Sequence, residues 1–189
     1  MKFEIDVSGS DIFDEDFTIC IANKNEEKHI IKGFRFNTEL ITNKLVKNWN
    51  ENKYKYDPSK KGVFKARLYS IVVYYLFKSI PQQKFLSLTI CRDFCGHEND
   101  INQTLKHLLE NVLKTTIGKP RHQKLPNSSN AHWYAYLIRK DNANQLPNHV
   151  DISIEEIEKY LKKKVTPKGL TTEIPVRPPK SALDKLPGN

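Results

Sequence analysis

Apolar and polar residues alternate from Phe3 to Val7, the period of a half-buried strand. The segment SGSDIFDED interrupts that pattern, and the β-branched run FTICIA, residues 17–22, predicts a second strand. A polar turn follows, and HIIKGFRF, residues 29–36, predicts a third. Short connections between three consecutive strands predict an antiparallel meander. The period then lengthens to that of a helix. In residues 37–50, Leu40, Ile41, Leu45, Val46 and Trp49 fall on one helical face, with Asn37 or Thr38 as the N-cap. Residues 64–80, FKARLYSIVVYYLFKSI, are apolar around most of a helical circumference, which predicts a deeply packed helix ended by Pro81.

KFLSLTI, residues 84–90, predicts a fourth strand, and residues 101–113 a helix with the stripe Ile101, Leu105, Leu108, Leu109, Val112 and Leu113. AHWYAYLI, residues 131–138, reads as a fifth strand. Residues 153–161 read as a last helix opened by a capping box, Ser153 with Glu156. Beyond Val165 apolar periodicity ends and prolines accumulate at 167, 175, 178, 179 and 187. The expected organisation is one α/β domain over residues 1–164 and an extended, proline-containing tail over 165–189. Its sheet is mixed and five-stranded, with antiparallel strands 1–3, parallel strands 4–5 and flanking helices.

Charge changes the picture more than composition does. The 189 residues carry a formal net charge of +9, which favours a polyanionic partner such as nucleic acid. The most apolar segment, residues 68–80, is about 13 residues long, short of the roughly 20 that span a bilayer. Residues 1–6 lack the basic and apolar regions of a secretory leader. Cys20, Cys91 and Cys95 cannot all pair within the chain. A reduced, cytoplasmic setting without a membrane partner is expected.

Asp6 ends the first strand in IDVSGS, residues 5–10, and Asp93 stands just beyond the fourth in LTICRDFCGHEND, residues 88–100. A carboxylate at the end of a core strand is costly unless a cation or hydrogen-bond donors meet it. These two stretches, with the order of elements, resemble the ribonuclease H-like superfamily. The resemblance implies a metal-dependent nuclease in which carboxylates from distant parts of the chain hold Mg²⁺ or Mn²⁺ for phosphodiester cleavage. In that layout the first and fourth strands are neighbours, so Asp6 and Asp93 would be catalytic metal ligands facing each other. Glu39 takes the place of the glutamate after the third strand, and Asp151 or Glu155 that of the acidic residue near the final helix. The chain departs from the family by placing two helices between strands three and four and by a long spacing after strand five.

Each residue also has a plainer reading. Asp6 with Ser8 and Gly9 suits an Asx-type turn, and Asp93 could pair with Arg92. Glu39, Asp151 and Glu155 suit helix starts. Cys91, Cys95 and His97 hint at a zinc site but lack the second ligand pair. His132 is a candidate proton shuttle or a structural residue. A basic segment places Lys53, Lys55, Lys60, Lys61, Lys65 and Arg67 beside Tyr54 and Tyr56. That combination neutralises phosphates and stacks on the bases of a single strand, DNA or RNA, or else forms a solvated basic face. Two other functions remain open: a non-catalytic nucleic-acid-binding module, and a protein-interaction subunit whose tail is an extended ligand for a partner.

Overall fold

The computed structural model describes residues 1–24, 29–57 and 59–162. The proline-containing tail, and with it the expected protein-partner segment, lies outside the described residues. Strands β1 (Lys2–Ser8), β2 (Phe17–Asn23) and β3 (Ile31–Phe36) form the expected antiparallel meander. β4 (Phe85–Ile90) joins β1 in parallel, Ile5 lying opposite Ile90. Two short strands, β5 (Thr116–Ile117) and β6 (Arg121–His122), pair in parallel with the two ends of β4. The order is β3-β2-β1-β4-β5, with β6 also on β4, so β1 is central. The free edge of β3 is covered where Gly33 exchanges backbone bonds with Asn148 and Val150, which protects it from pairing with another chain.

Helices close both faces. A π-helical turn, Thr38–Thr42, leads into α1 (Asn43–Asn50), and α2 (Lys61–Lys78) follows. Twelve of the 18 residues of α2 are buried, as its nearly uniform apolar surface predicts. α3 (Glu98–Lys106) runs into a second π-helical turn, His107–Val112. α4 (Asn130–Lys140) lies on the opposite face of the sheet, and α5 (Ile154–Glu158) carries the predicted capping box. Among the described residues no helix is long and apolar enough to cross a membrane.

Three local expectations fail for physical reasons. Residues 131–138 are helical: Ser129 accepts a bond from the His132 N–H, and Ala131, Ala135 and Ile138 repeat at the spacing of a helical face buried on the sheet. The fifth strand is therefore β5 at 116–117, and the sheet has six strands rather than five. Leu40 belongs to the expected helical stripe yet is exposed, because the widened π turn that starts at the Asn37 cap shifts the phase of the face. Tyr54 is fully buried; its ring packs near Phe64 and its hydroxyl donates to Glu158 at 2.7 Å.

Candidate metal centre

Successive residues of β1 point to opposite faces. Phe3 and Ile5 enter the core with α2, and Glu4 and Asp6 turn towards α4. The N-terminal end of α4 meets both acids. Ser129, its N-cap, donates to Glu4 at 2.8 Å, and His132 Nδ1 lies 2.8 Å from an Asp6 carboxylate oxygen. A helix N-terminus favours negative charge, so α4 answers the cost of placing two carboxylates on a central strand. Asp6 is only 2% exposed, whereas the His132 side chain is half-exposed. The imidazole thus connects a buried acid to solvent.

The parallel pairing of β1 with β4 brings in the remaining members. The Cys91 N–H bonds the Ile5 carbonyl, which sets Cys91 beside Asp6, and the chain folds back at Asp93. One ligand atom each from Asp6, Cys91 and Asp93 lies within 4.8 Å of the others. Burial, opposed in part by a bond from Cys91, and the neighbouring Asp6 charge raise the Asp93 carboxyl above its usual range. Burial and the two carboxylates push the Cys91 thiol up to about 12. Tyr69 lies beneath the group, its phenol held far above the ordinary range by burial and by the same acids.

These groups can hold a metal ion. The group offers two carboxylate oxygens and one thiol sulfur; a hard cation is met by the oxygens alone, and a softer one would draw in the sulfur by displacing its proton. The raised value of the Cys91 thiol argues against a thiolate nucleophile, since catalytic cysteines have depressed values. A cleft of about 430 Å³, lined by Gly9, Asp11, Gly62, Lys65, Asp93 and His97 among others, opens on one side of the group. A second, of about 530 Å³, is bounded by Ser8, Asn127, His132, Trp133 and Tyr136 and reaches the group through His132. Val7 lines both, so the end of β1 forms the ridge between them.

Of the acids named from the sequence, Asp6 and Asp93 come together and the other three do not join them. Glu39 is exposed in the first turn after the Asn37 cap. Glu155 sits in the first turn of α5, 3.8 Å from Lys44, and Asp151 lies 3.6 Å from His149. All three match the helix-start or surface-pair reading. Asp6 forms no Asx turn; Asp11 does, accepting from the Phe13 N–H at 2.9 Å. Arg92 reaches the His122 carbonyl at 3.4 Å. The zinc reading loses two of its members: His97 bonds Asp100 at 3.0 Å and packs on Gly62, and Cys95 is exposed, its thiol directed at the Arg92 carbonyl.

The basic segment is partly spent on the fold. Lys65 pairs with Asp11, Lys53 with Glu51, and Arg67 donates to Thr104. Lys55 sits over the Tyr56 ring and Lys61 over that of Phe13. Tyr54 offers no face to a base, and Tyr56 is half-buried near Phe64. Lys60 is exposed. Sequence reasoning missed the place of Cys91 between the two acids and that of His132 on a helix. The signal for the latter was Ser129 followed by a helical 131, 135, 138 spacing. Comparisons with protein-family models, with curated proteins and with solved structures each find no match for this chain.

Proposed function

We propose that this chain is a divalent-metal-dependent nuclease, or a related phosphoryl-transfer enzyme, that acts on nucleic acid with Mg²⁺ or Mn²⁺. The observation that carries the reading is the convergence of Asp6 and Asp93, from the ends of neighbouring parallel strands, with Asp93 lining an open cleft. Adjacent first and fourth strands are also what the ribonuclease H-like resemblance implies. A bound divalent cation supplies activation of the attacking water and stabilisation of charge developing on a phosphodiester. Asp6 and Asp93 hold it. Cys91, whose ligand atom lies within 4.8 Å of those of both acids, would orient the carboxylates beside the ion. With Nδ1 engaged by Asp6, His132 has Nε2 to hold or pass a proton at the solvent side. The net charge of +9 concentrates a polyanion at the surface.

The test is cleavage of mixed single- and double-stranded DNA and RNA with manganese, against chelator. Asp93→Asn is expected to lower the rate by at least about a hundredfold, because metal catalysis supplies several kcal/mol of transition-state stabilisation. A non-catalytic binding module is the second reading. It is favoured by the distance of Glu39, Asp151 and Glu155 from the group, which leaves two carboxylates where the resemblance implies more. Salt-sensitive binding with no manganese-dependent cleavage selects it.

A further inference from the structure

α4 buries Ala131, Ala135 and Ile138 against the sheet. Its outward side carries Trp133, Tyr136 and Leu137, three large side chains within about one turn of one another. Trp133 is 55% exposed and Tyr136 47%. Among the described residues neither ring packs on another aromatic ring, whereas most other tyrosines and the second tryptophan do. The exposed rings do not lie on an isolated face. With His132 of the same helix, and with Val7, Ser8 and Asn127, they line the cleft of about 530 Å³, and His132 is bonded to Asp6.

We propose that Trp133 and Tyr136 form a stacking shelf for the unpaired bases of a single-stranded polynucleotide whose backbone passes His132 towards Asp6 and Asp93. The proposal rests on the polynucleotide reading above and names the strand state it prefers. Unpaired bases offer π faces, while those of a duplex are already stacked, so an aromatic wall selects a single strand. The surroundings fit the charge of its backbone. The Lys140 ammonium stands 5.8 Å from the centre of the Tyr136 ring. Lys124 is exposed on the segment between Gln123, bonded to the end of β4, and Asn127 in the cleft wall. The Asn127 amide can bond base edges without demanding one sequence. A cleft of this size suits flat rings, and lysines along its rim are depleted in the cores of protein interfaces. The stacking role assigned from the sequence to Tyr54 and Tyr56 thus passes to α4.

Trp133 reports on its own occupancy. The other tryptophan, Trp49, is buried with its indole N–H donating to the Tyr56 carbonyl, so quenching by a base is a Trp133 signal. The full chain is titrated in chelator at fixed salt with an oligothymidylate and with an abasic deoxyribose-phosphate strand of equal length. Thymidylate is expected to quench emission and the abasic strand to leave it unchanged. Trp133→Ala should weaken thymidylate binding about tenfold, Trp133→Phe should restore most of it, and the salt slope should match wild type in both. Thymidylate binding of equal affinity in wild type and Trp133→Ala, without quenching, overturns the shelf and leaves the polynucleotide reading standing. Absence of binding to either strand at low salt overturns both. Concentration-dependent self-association lost in Trp133→Ala, with no quenching by thymidylate, assigns the rings to a contact between copies and overturns the shelf.

Discussion

Replacing Asp93 by asparagine separates a metal centre from a structural cluster better than replacing Asp6, because Asp6 also anchors His132 and through it α4. Two carboxylates whose oxygens lie within 4.8 Å repel by about 1 kcal/mol in a water-like medium and by about 3.5 kcal/mol at an effective dielectric constant of 20. Asp93 is the solvent-open member of the group and its carboxyl is only partly desolvated, so the lower figure is the better guide to what the mutation relieves. Asp93→Asn is expected to leave the metal-free protein as stable as wild type, or more stable by about 1 kcal/mol. Manganese acts in the opposite sense. At a hundredfold excess over its dissociation constant it stabilises the folded chain by about 2.7 kcal/mol. For a domain of this size that raises the melting temperature by roughly 5–11 °C. The mutant should lose most of that rise. The assay is thermal unfolding of both proteins in chelator and in manganese at constant ionic strength. An equal manganese shift in both proteins, or a mutant that melts well below wild type in chelator, refutes the reasoning: the carboxylate would then be held by the fold rather than for an ion.

Three further outcomes follow from the same contacts. At pH 8 iodoacetamide should label the exposed Cys95 and spare Cys91, whose thiol is pushed up to about 12, and buried Cys20; mass spectrometry that finds rapid Cys91 labelling in the folded protein contradicts its protonated state. Ser129→Ala removes both the cap of α4 and the bond to Glu4, so it should cost about 1–3 kcal/mol in urea unfolding, with Ser129→Thr recovering part; an unchanged midpoint would separate α4 docking from the cap. Burial works to raise the Glu158 carboxyl, but bonds from Lys162, Tyr54 and Asn48 outweigh it and hold it below the usual range. A depressed carboxyl contributes stability above the ordinary glutamate range and loses it as pH falls through that range and below. Glu158→Gln should therefore cost about 2 kcal/mol at neutral pH and progressively less in acid; a cost independent of pH rules out the ionic part of that contribution.

Where periodicity was strong, the chain declared its own fold. The meander and the buried α2 follow from alternation and from a nearly all-apolar stretch. β5 and β6 were illegible because strands of two residues carry no period; they exist only because β4 offers them an edge. Residues 131–138 were misread because His132, Trp133, Tyr134 and Tyr136 suit strands by propensity, and the cap at Ser129 with tertiary packing on the sheet overrode it. Asp6 and Asp93 were legible as acids at strand ends. Glu39, Asp151 and Glu155 were chosen by the order of elements, which fixes neither distance nor facing, and each settled into a local role. Tyr54 lies among lysines, a pattern that suits stacking on bases, yet the buried Glu158 carboxylate gives its hydroxyl a partner inside.

The bond between His132 and Asp6 joins residues 126 positions apart, so the centre is built from contacts of high sequence separation. Closing so long a loop must precede any gain from the contact, and parallel pairing of β1 with β4 already demands a distant return. A chain that has folded its meander, α2 and β4 holds Asp6 and Asp93 near each other but lacks the helix that meets the acids of β1. Without α4, Asp6 lacks its bond to His132, Glu4 keeps only its pair with Lys24, and the apolar side of β2 behind them, Cys20 and Ala22, is uncovered. α4 therefore acts as the keystone: it completes the smaller core and brings to the acids of β1 the hydrogen-bond partners at its N-terminal end.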